Sequence, residues 1–403
     1  MKHIFLLIFI VSFSLSNTLQ EAINSAKSGS IIKLSKGTYI GKIIINKPLT
    51  IIGLEDNVII KGDNTGTVIS IKSSNVTLKN LTITDSGSQM ITLDSGIVMD
   101  KVQNCEISNC KILNSLYGID MIMVKNSLIS DNYITSKKKD ISLRGNALKV
   151  WYSNNNIFKN NTIDFSRDVT FTYSNNNIIE DNTFKNNRFS LHISLSDGNI
   201  IKNNTFMLNS VGLMIMGAKN TKVNKNDIKS STGAAGIGVV ISGISNFYFE
   251  NNIVRYNAQG IYIDTKDTEL GMQRYIRNNE ILSNKEAIHF HAAIKNNTIT
   301  NNIIVGNIED IVKDVKGNFT NSNLIEYNYW DRYTGFDKNK DNIGDNSHKV
   351  FQYADQLWHY NNKIKFFYAS PVMTLMNFLT NLAPFVEPNL LLEDTKPLVK
   401  NDS

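Results

Sequence analysis

Along most of this chain apolar and polar residues alternate in short bursts, as in Leu191-His-Ile-Ser-Leu195, and asparagine pairs separate one burst from the next. A two-residue period marks a strand with one buried face, and no burst in the repeated region sustains the i, i+3, i+4 spacing of a helix. The bursts recur as a unit. Ser153-Asn-Asn-Asn-Ile-Phe-Lys-Asn-Asn-Thr-Ile163 returns as Ser174-Asn-Asn-Asn-Ile-Ile-Glu-Asp-Asn-Thr-Phe184, Asp197-Gly-Asn-Ile-Ile-Lys-Asn-Asn-Thr-Phe206 and Ala218-Lys-Asn-Thr-Lys-Val-Asn-Lys-Asn-Asp-Ile228. The last asparagine of each unit (Asn132, Asn161, Asn182, Asn204, Asn226, Asn252, Asn279, Asn302 and Asn328) recurs every 21 to 29 residues, most often at about 22. That is a solenoid period. A rung of this length holds three short strands and their turns, which predicts an all-β, right-handed parallel β-helix of the pectin-lyase-like kind. The recurring asparagine is expected at a tight turn that needs a left-handed residue, and asparagines stacked at about 4.8 Å can hydrogen-bond to one another.

The ends depart from this pattern. Residues 1–16 combine a basic start, a short apolar run and Ser14-Leu-Ser16, which predicts a cleaved signal peptide and an exported, periplasmic protein. Leu19, Ala22, Ile23 and Ala26 fall on one side of a helix over Thr18–Lys27, suited to covering the open end of a β-helix spanning 17–330. Residues 331–350 are rich in Asp and Asn, and 351–403 read as a helical tail. Within it Ser370-Pro371 opens a helix that Pro384 ends. Its apolar residues, among them Met376, Phe378 and Leu379, wrap most of the circumference. Too short to cross a bilayer, this tail suits capping the solenoid or docking on a membrane protein.

Composition fits one elongated body, with 41% hydrophobic residues, 19% charged and five prolines. The net charge is +6 and no basic run exceeds Lys137-Lys-Lys139, so no nucleic acid is expected as a partner of an exported chain. That run reads as a solvated turn. Of the two cysteines, Cys110 stands where other rungs have the recurring asparagine and reads first as a ladder substitute; a disulfide or metal pair with Cys105 stays open.

Overlaying the repeats gives two outward rows on one strand per rung. The first runs Asp120, Lys149, Thr170, His192, Met214, Gly238, Tyr262, His289; the second runs Ile122, Trp151, Thr172, Ser194, Met216, Val240, Asp264, His291. Imidazole and thioether ligands favour copper, thioether selecting Cu(I), so His192, Met214 and Met216 are candidate copper ligands. His289 and His291, on one side of a strand, are a second pair. Arg144, Arg167 and Arg188 stack near one edge and either pair with Asp140, Asp164 or Asp168 or await an acidic partner. Asp337, Asn339, Asp341 and Asp345 resemble a short calcium loop, although His348 stands where a bidentate Glu would close it; a turn capped by its own side chains fits equally. The only acids on the two rows are Asp120 and Asp264, too far apart for the carboxylate pair of glycoside chemistry. The face reads as a binding platform, not a reaction centre.

Leu19-Gln-Glu-Ala-Ile23, Arg144-Gly-Asn146 with Trp151, Arg167-Asp168, Arg188 with His192, Asn209-Ser-Val-Gly212, the segment from Asn328-Tyr-Trp-Asp331 to Gly344-Asp345, and Ser370-Pro371, in this order, resemble the NosD family of exported maturation proteins for nitrous oxide reductase. The resemblance implies a non-enzymatic periplasmic component of an ABC-type system, docked on the permease NosY and driven by the ATPase NosF. It further implies service to copper-site assembly in the reductase NosZ, the copper chaperone NosL as another partner, and membrane association through the permease. Arg144, Trp151, Arg167 and Arg188 become candidate partner contacts. The family has Tyr-Met-Tyr after the strand histidine; Ile193-Ser194-Leu195 stands here, leaving Met214 or Met216 to supply a thioether. The rival readings are a polysaccharide lyase or epimerase and a carbohydrate-binding adhesin.

Overall fold

The structure, a computed structural model, describes residues 8–11, 18–264, 272–291, 293–314, 322–352, 370–382 and 389–400. They fall into two compact units, Met1–Leu213 and Met214–Ser403. Both are built from β-helix rungs, as the repeat predicts.

In the first unit each regular rung gives one strand to each of three parallel sheets. Ile157–Lys159, Thr162–Asp164 and Asp168–Thr172 make one such rung. Phe158 pairs with Ile129 on one side and Ile179 on the other, Ile163 with Ile134 and Phe184, and Phe171 with Val150 and Ile193. Phe158, Ile163 and Phe171 point inward and are buried. Rings pack in this core, Phe158 edge-on to Phe171 within the rung and Phe184 flat on Phe206 of the neighbouring rung. In the second unit Phe249, Val254, Ile261 and Ile263 play the same part.

The turns correct one expectation. The recurring asparagine is not the left-handed residue; the residue before it is. Asn160, Asp181 and Asn203 have φ of 54°, 57° and 56°, whereas Asn161, Asn182 and Asn204 lie inside, buried. There each carboxamide does what the backbone of a tight corner cannot. Asn161 Oδ1 accepts from Asn132 N (3.1 Å) and Asn132 Nδ2 (3.0 Å), while its own Nδ2 donates to Ile129 O (2.8 Å) and Asn182 Oδ1 (2.9 Å). A ladder of the same kind runs through Asn226, Asn252, Asn279, Asn302 and Asn328 in the second unit. Cys110 occupies a rung of it, its N–H donating to Asn132 Oδ1. Cys105 heads a second ladder through Ser127, Asn156, Asn177 and Asn199. Both cysteines are free and buried, and burial pushes the Cys110 thiol up to about 12.

The amino-terminal helix spans Thr18–Ser25. Leu19 and Ile23 are buried, and Gln20 pairs with both backbone groups of Ile44 on the strand Ile43–Ile45, capping that edge. Ile8–Val11 forms a strand parallel to Ser30–Leu34. At the other terminus the helix Pro371–Leu382 forms as predicted, but the tail is not helical as a whole. Asn389–Asp394 is a strand, paired antiparallel with His348–Gln352, because its Leu391 and Leu392 fill the end of the second unit's core. Asp394 then stands where the next ladder asparagine would. Its Oδ2 accepts from Asn328 N (3.1 Å), Asn328 Nδ2 (2.8 Å) and Trp330 Nε1 (3.0 Å), and its Oδ1 from Lys396 N (3.1 Å). Asp394→Asn keeps one acceptor oxygen and sets an NH2 group against a donor. We expect it to lower stability by about 1–2 kcal/mol, read as a shifted denaturant midpoint with unchanged m-value.

Candidate functional site

The third sheet of the first unit carries the outward rows in the predicted order. Asp120 pairs with Lys149, Lys149 with Thr170 and Thr170 with His192; Ile122, Trp151, Thr172 and Ser194 follow alongside. Asp120 is buried beneath a 3.0 Å ion pair to Lys149; its carboxyl is raised by burial, which outweighs the lysine. His192 is the informative member. Its ring lies 5.9 Å from Phe189, and its Nε2 is buried without a hydrogen-bond partner. Burial holds this imidazole below its ordinary value, against Asp168 and with Arg188. An imidazole nitrogen buried without a partner is chemically able to accept a hydrogen bond or a metal ion.

Met214 and Met216 belong to the second unit, where they flank buried Ile215 as half-buried outward thioethers. Further along, the register differs from the sequence overlay. Val240, not Gly238, pairs with Tyr262, and Ser242, not Val240, with Asp264. The overlay was two residues out, since matching Gly238 to Gly260 of Gln259-Gly260 gives the observed register; a shift of two keeps the same face outward.

His289 and His291 do share a side of their strand, and Asp314 Oδ2 lies between them, 3.2 Å from His289 Nε2 and 3.0 Å from His291 Nδ1. His289 Nδ1 meets Glu286 Oε2 at 2.6 Å, and Tyr262 stacks on the ring at 5.0 Å. Burial opposes protonation here, but the two carboxylates win and raise His289 to about 9. It is an imidazolium between two acids. Glu286 and Asp314 escaped the sequence reading because neither lies on the two rows it followed, so a carboxylate cluster exists where only Asp264 was foreseen. Among the described residues no group of three or more His, Cys, Asp or Glu is arranged to hold a metal ion.

The arginines divide. Arg167 meets Asp168 at 3.0 Å and Asn146 Oδ1 at 3.1 Å, and Arg188 grips the same carboxylate at 2.9 and 2.6 Å. Arg144 instead donates to Lys139 O and lies over Phe165, at 5.5 Å. Lys137 is buried rather than solvated, its ammonium lowered by desolvation. Trp151 is 38% exposed, edge-on to Tyr152. Tyr152 (φ 49°), Tyr173 (φ 50°), Met123 (φ 54°) and Leu195 (φ 49°) are left-handed corners beside this sheet, and all are exposed. A large side chain in that backbone region costs about 1–2 kcal/mol, so these corners are unusual. An overlay would have exposed them, since Gly217 and Gly243 hold the equivalent place in the second unit.

The Asp/Asn-rich loop gives the calcium reading no support. Asp337 accepts from the N–H groups of Asp341 and Asn342, Asp341 Oδ1 from Ile343 N, and Asp345 from Lys338 N. Asn339 bonds Asp341. These oxygens cap the loop's own backbone, with Lys340 and Asn342 left-handed. On the helix Pro371–Leu382, Val372, Leu375, Met376, Phe378 and Leu379 are 67, 56, 40, 57 and 53% exposed. No described helix is long and apolar enough to cross a membrane.

The family described as "Periplasmic copper-binding protein (NosD)" matches residues 130–335, about half of the chain and the stretch that contains His192, Met214 and His289. The chain belongs to the NosD family. A Stutzerimonas stutzeri protein named "Probable ABC transporter binding protein NosD" is 25% identical over 91% of this chain and 86% of its own length. A cell surface glycoprotein of Methanothermus fervidus is 28% identical over 77% of the chain, which spans only 50% of that protein. Among solved structures, the A-module of the Azotobacter vinelandii mannuronan C-5 epimerase AlgE6 superposes with a TM-score of 0.59 at 15% identity, covering 77% of this chain and 93% of the module. A mannuronic acid-specific family 6 polysaccharide lyase from human gut microbiota gives 0.57 at 13% identity, over 92% and 99%. At these identities they share the fold, a pectin-lyase-like β-helix. NosD family membership places the chain with periplasmic copper proteins.

Proposed function

We propose that this NosD-family chain is a non-enzymatic periplasmic docking platform of an ABC-type system, exported by the leader in residues 1–16, and that it holds Cu(I) transiently during copper-site assembly in nitrous oxide reductase. Its partners on this reading are the permease NosY, the ATPase NosF, the reductase NosZ and the copper chaperone NosL. The observation that carries it is the buried, unpartnered Nε2 of neutral His192 on an outward sheet face. Copper is the cargo. His192 of the first unit offers an imidazole, and Met214 and Met216 of the second offer thioethers, each a donor type that suits Cu(I). The two histidines around Asp314 are a poorer copper site, since the ion pairs of His289 to Glu286 and Asp314 favour its protonated ring. The exposed apolar residues of the helix Pro371–Leu382, which lies in the chain between two paired strands, support docking on the permease and membrane association through it.

Anaerobic Cu(I) titration of the mature protein against a competing chelator tests the copper reading. Wild type is expected to bind Cu(I) with defined stoichiometry, and His192→Ala and the Met214→Leu, Met216→Leu double variant to lose it. Undiminished binding in both variants, or none in the folded wild type, overturns these ligands.

A further inference from the structure

Two turns of the first unit carry apolar side chains away from the core along one edge, where the chain passes from the second sheet to the third. On one rung ten residues, 85–94, separate Thr82–Thr84 from Ser95–Asp100; two rungs on, eleven residues, 137–147, separate Tyr133–Ser136 from Leu148–Trp151. On the rung between them Leu116 alone joins Lys111–Ser115 to Tyr117–Ile122. Leu116 also ties the two turns together. Its N–H donates to Ser86 Oγ (2.9 Å), and its carbonyl accepts from Ser136 Oγ (3.1 Å). The turns therefore stand about 10 Å apart, two strand spacings, with a much shorter rung between them.

The first turn is built to hold its tip out. Asp94, 2% exposed, accepts from Gln89 N (2.9 Å) and Thr92 Oγ1 (2.7 Å), while Asp94 N donates to Gln89 O and Leu93 N to Met90 O. Gly87 lies so close to this carboxylate that a Cβ there would sit 1.9 Å from Oδ2. Ile91 at the apex is 94% exposed, and Met90 beside it is 37% exposed. The second turn presents Ile141 and Leu143, 38 and 54% exposed, on one short helical turn. Positive charge surrounds it. Lys138 and Lys139 are exposed, Arg144 donates from Nε to Lys139 O, and among the described residues none of the three enters an ion pair; Asp140 is the one acid in this turn. A solitary exposed apolar residue is ordinary, but two apolar tips flanked by unpaired basic groups mark a contact surface.

We propose that this edge of the first unit inserts Met90, Ile91, Ile141 and Leu143 into the surface of an anionic phospholipid bilayer, with Lys138, Lys139 and Arg144 at the level of the headgroups. Binding of this kind grows with the apolar area inserted and with the attraction of basic groups to anionic lipid. Two separate convex tips would each need a pocket of their own in a protein partner, whereas a bilayer requires no matching shape. The contact is with lipid itself and depends on neither the permease, nor copper, nor the helix Pro371–Leu382.

Flotation of the mature chain with vesicles tests this, comparing phosphatidylglycerol mixed equally with phosphatidylcholine against phosphatidylcholine alone. Wild type is expected to float with the anionic vesicles, less so as salt rises, and scarcely with the neutral ones. Ile91→Asn with Leu143→Asn should weaken binding about tenfold, with the melting temperature within about 2 °C of wild type because both side chains are exposed. Lys138→Gln with Lys139→Gln should abolish the preference for anionic vesicles. Leu375→Gln with Phe378→Gln, on the exposed helix, should float as wild type does. In Ile91→Trp the emission of the added indole should shift to the blue with anionic vesicles, a readout independent of the double variants. Absence of wild-type flotation, undiminished flotation of the Ile91 and Leu143 double variant, or a loss confined to the helix variant overturns the proposal. A wild-type chain that ignores both lipid mixtures but binds vesicles carrying the permease has a protein partner instead, which overturns it as well.

Discussion

Asn161→Ala is expected to lower the stability of the protein by about 3–6 kcal/mol, a loss large enough to halt the accumulation of folded chain. The side chain is buried, and its removal strands Asn132 N and Ile129 O and takes one of the two acceptors from Asn132 Nδ2, which keeps Ile107 O. Each buried group left without a partner costs about 1–3 kcal/mol, and water has no route to a corner sealed by the neighbouring rungs. Asn161→Asp should be comparably harmful, since a second oxygen would face Ile129 O and Asn182 Oδ1 where an NH2 now donates. Asn161→Ser should fall between wild type and alanine, because Ser127 already serves as a rung in the parallel ladder. Denaturant unfolding of the series decides it. A cost for alanine below about 1 kcal/mol would mean that the ladder follows the fold rather than holding it.

These asparagines also show why the fold was legible and part of the site was not. A fixed residue recurring at one period, with Ile and Phe in phase, reports stacked rungs directly, and the parity of Leu191, Ile193 and their neighbours reports which rows face out. Roles inside the turn were not readable from spacing. Asn160 and Asn161 are the same residue type side by side, one left-handed and exposed, the other extended into the core, and only backbone geometry tells them apart. The candidate ligand His192 was visible because it breaks a polar row. Glu286 and Asp314 were not, because their approach to His289 depends on a strand start and on the next rung. The tail failed for a different reason: Asn389–Asp394 looks like more of an apolar helix until the edge of His348–Gln352 is there to pair with it. Tertiary context, not propensity, made it a strand.

Asp310→Asn should stabilise the protein at pH 8 by on the order of 4 kcal/mol, with the gain shrinking as the pH falls and vanishing near pH 4. Asp310 is 3% exposed, and its Oδ1 has no hydrogen-bond partner. Burial raises its carboxyl to about 7, with Asp331 and Glu309 adding to the effect and Arg332, 4.0 Å from Oδ2, only partly offsetting it. A folded-state value above the unfolded one means that the native chain binds the proton more tightly. Stability from this group is therefore complete below about pH 4, declines as pH rises toward 7, and is gone above it. The neutral amide escapes that loss. His348 works in the opposite sense: burial and Arg332 hold it down to about 4, so its contribution is lost as pH falls from about 6.5 through 4. In wild type the two trends run against each other and flatten the profile. In Asp310→Asn this offset is removed, and stability should fall more steeply than in wild type on acidification from pH 6.5 to 4. Urea midpoints measured from pH 4 to 8 read both curves. Parallel wild-type and variant profiles would show that Asp310 is solvated or paired in solution and carries no such load.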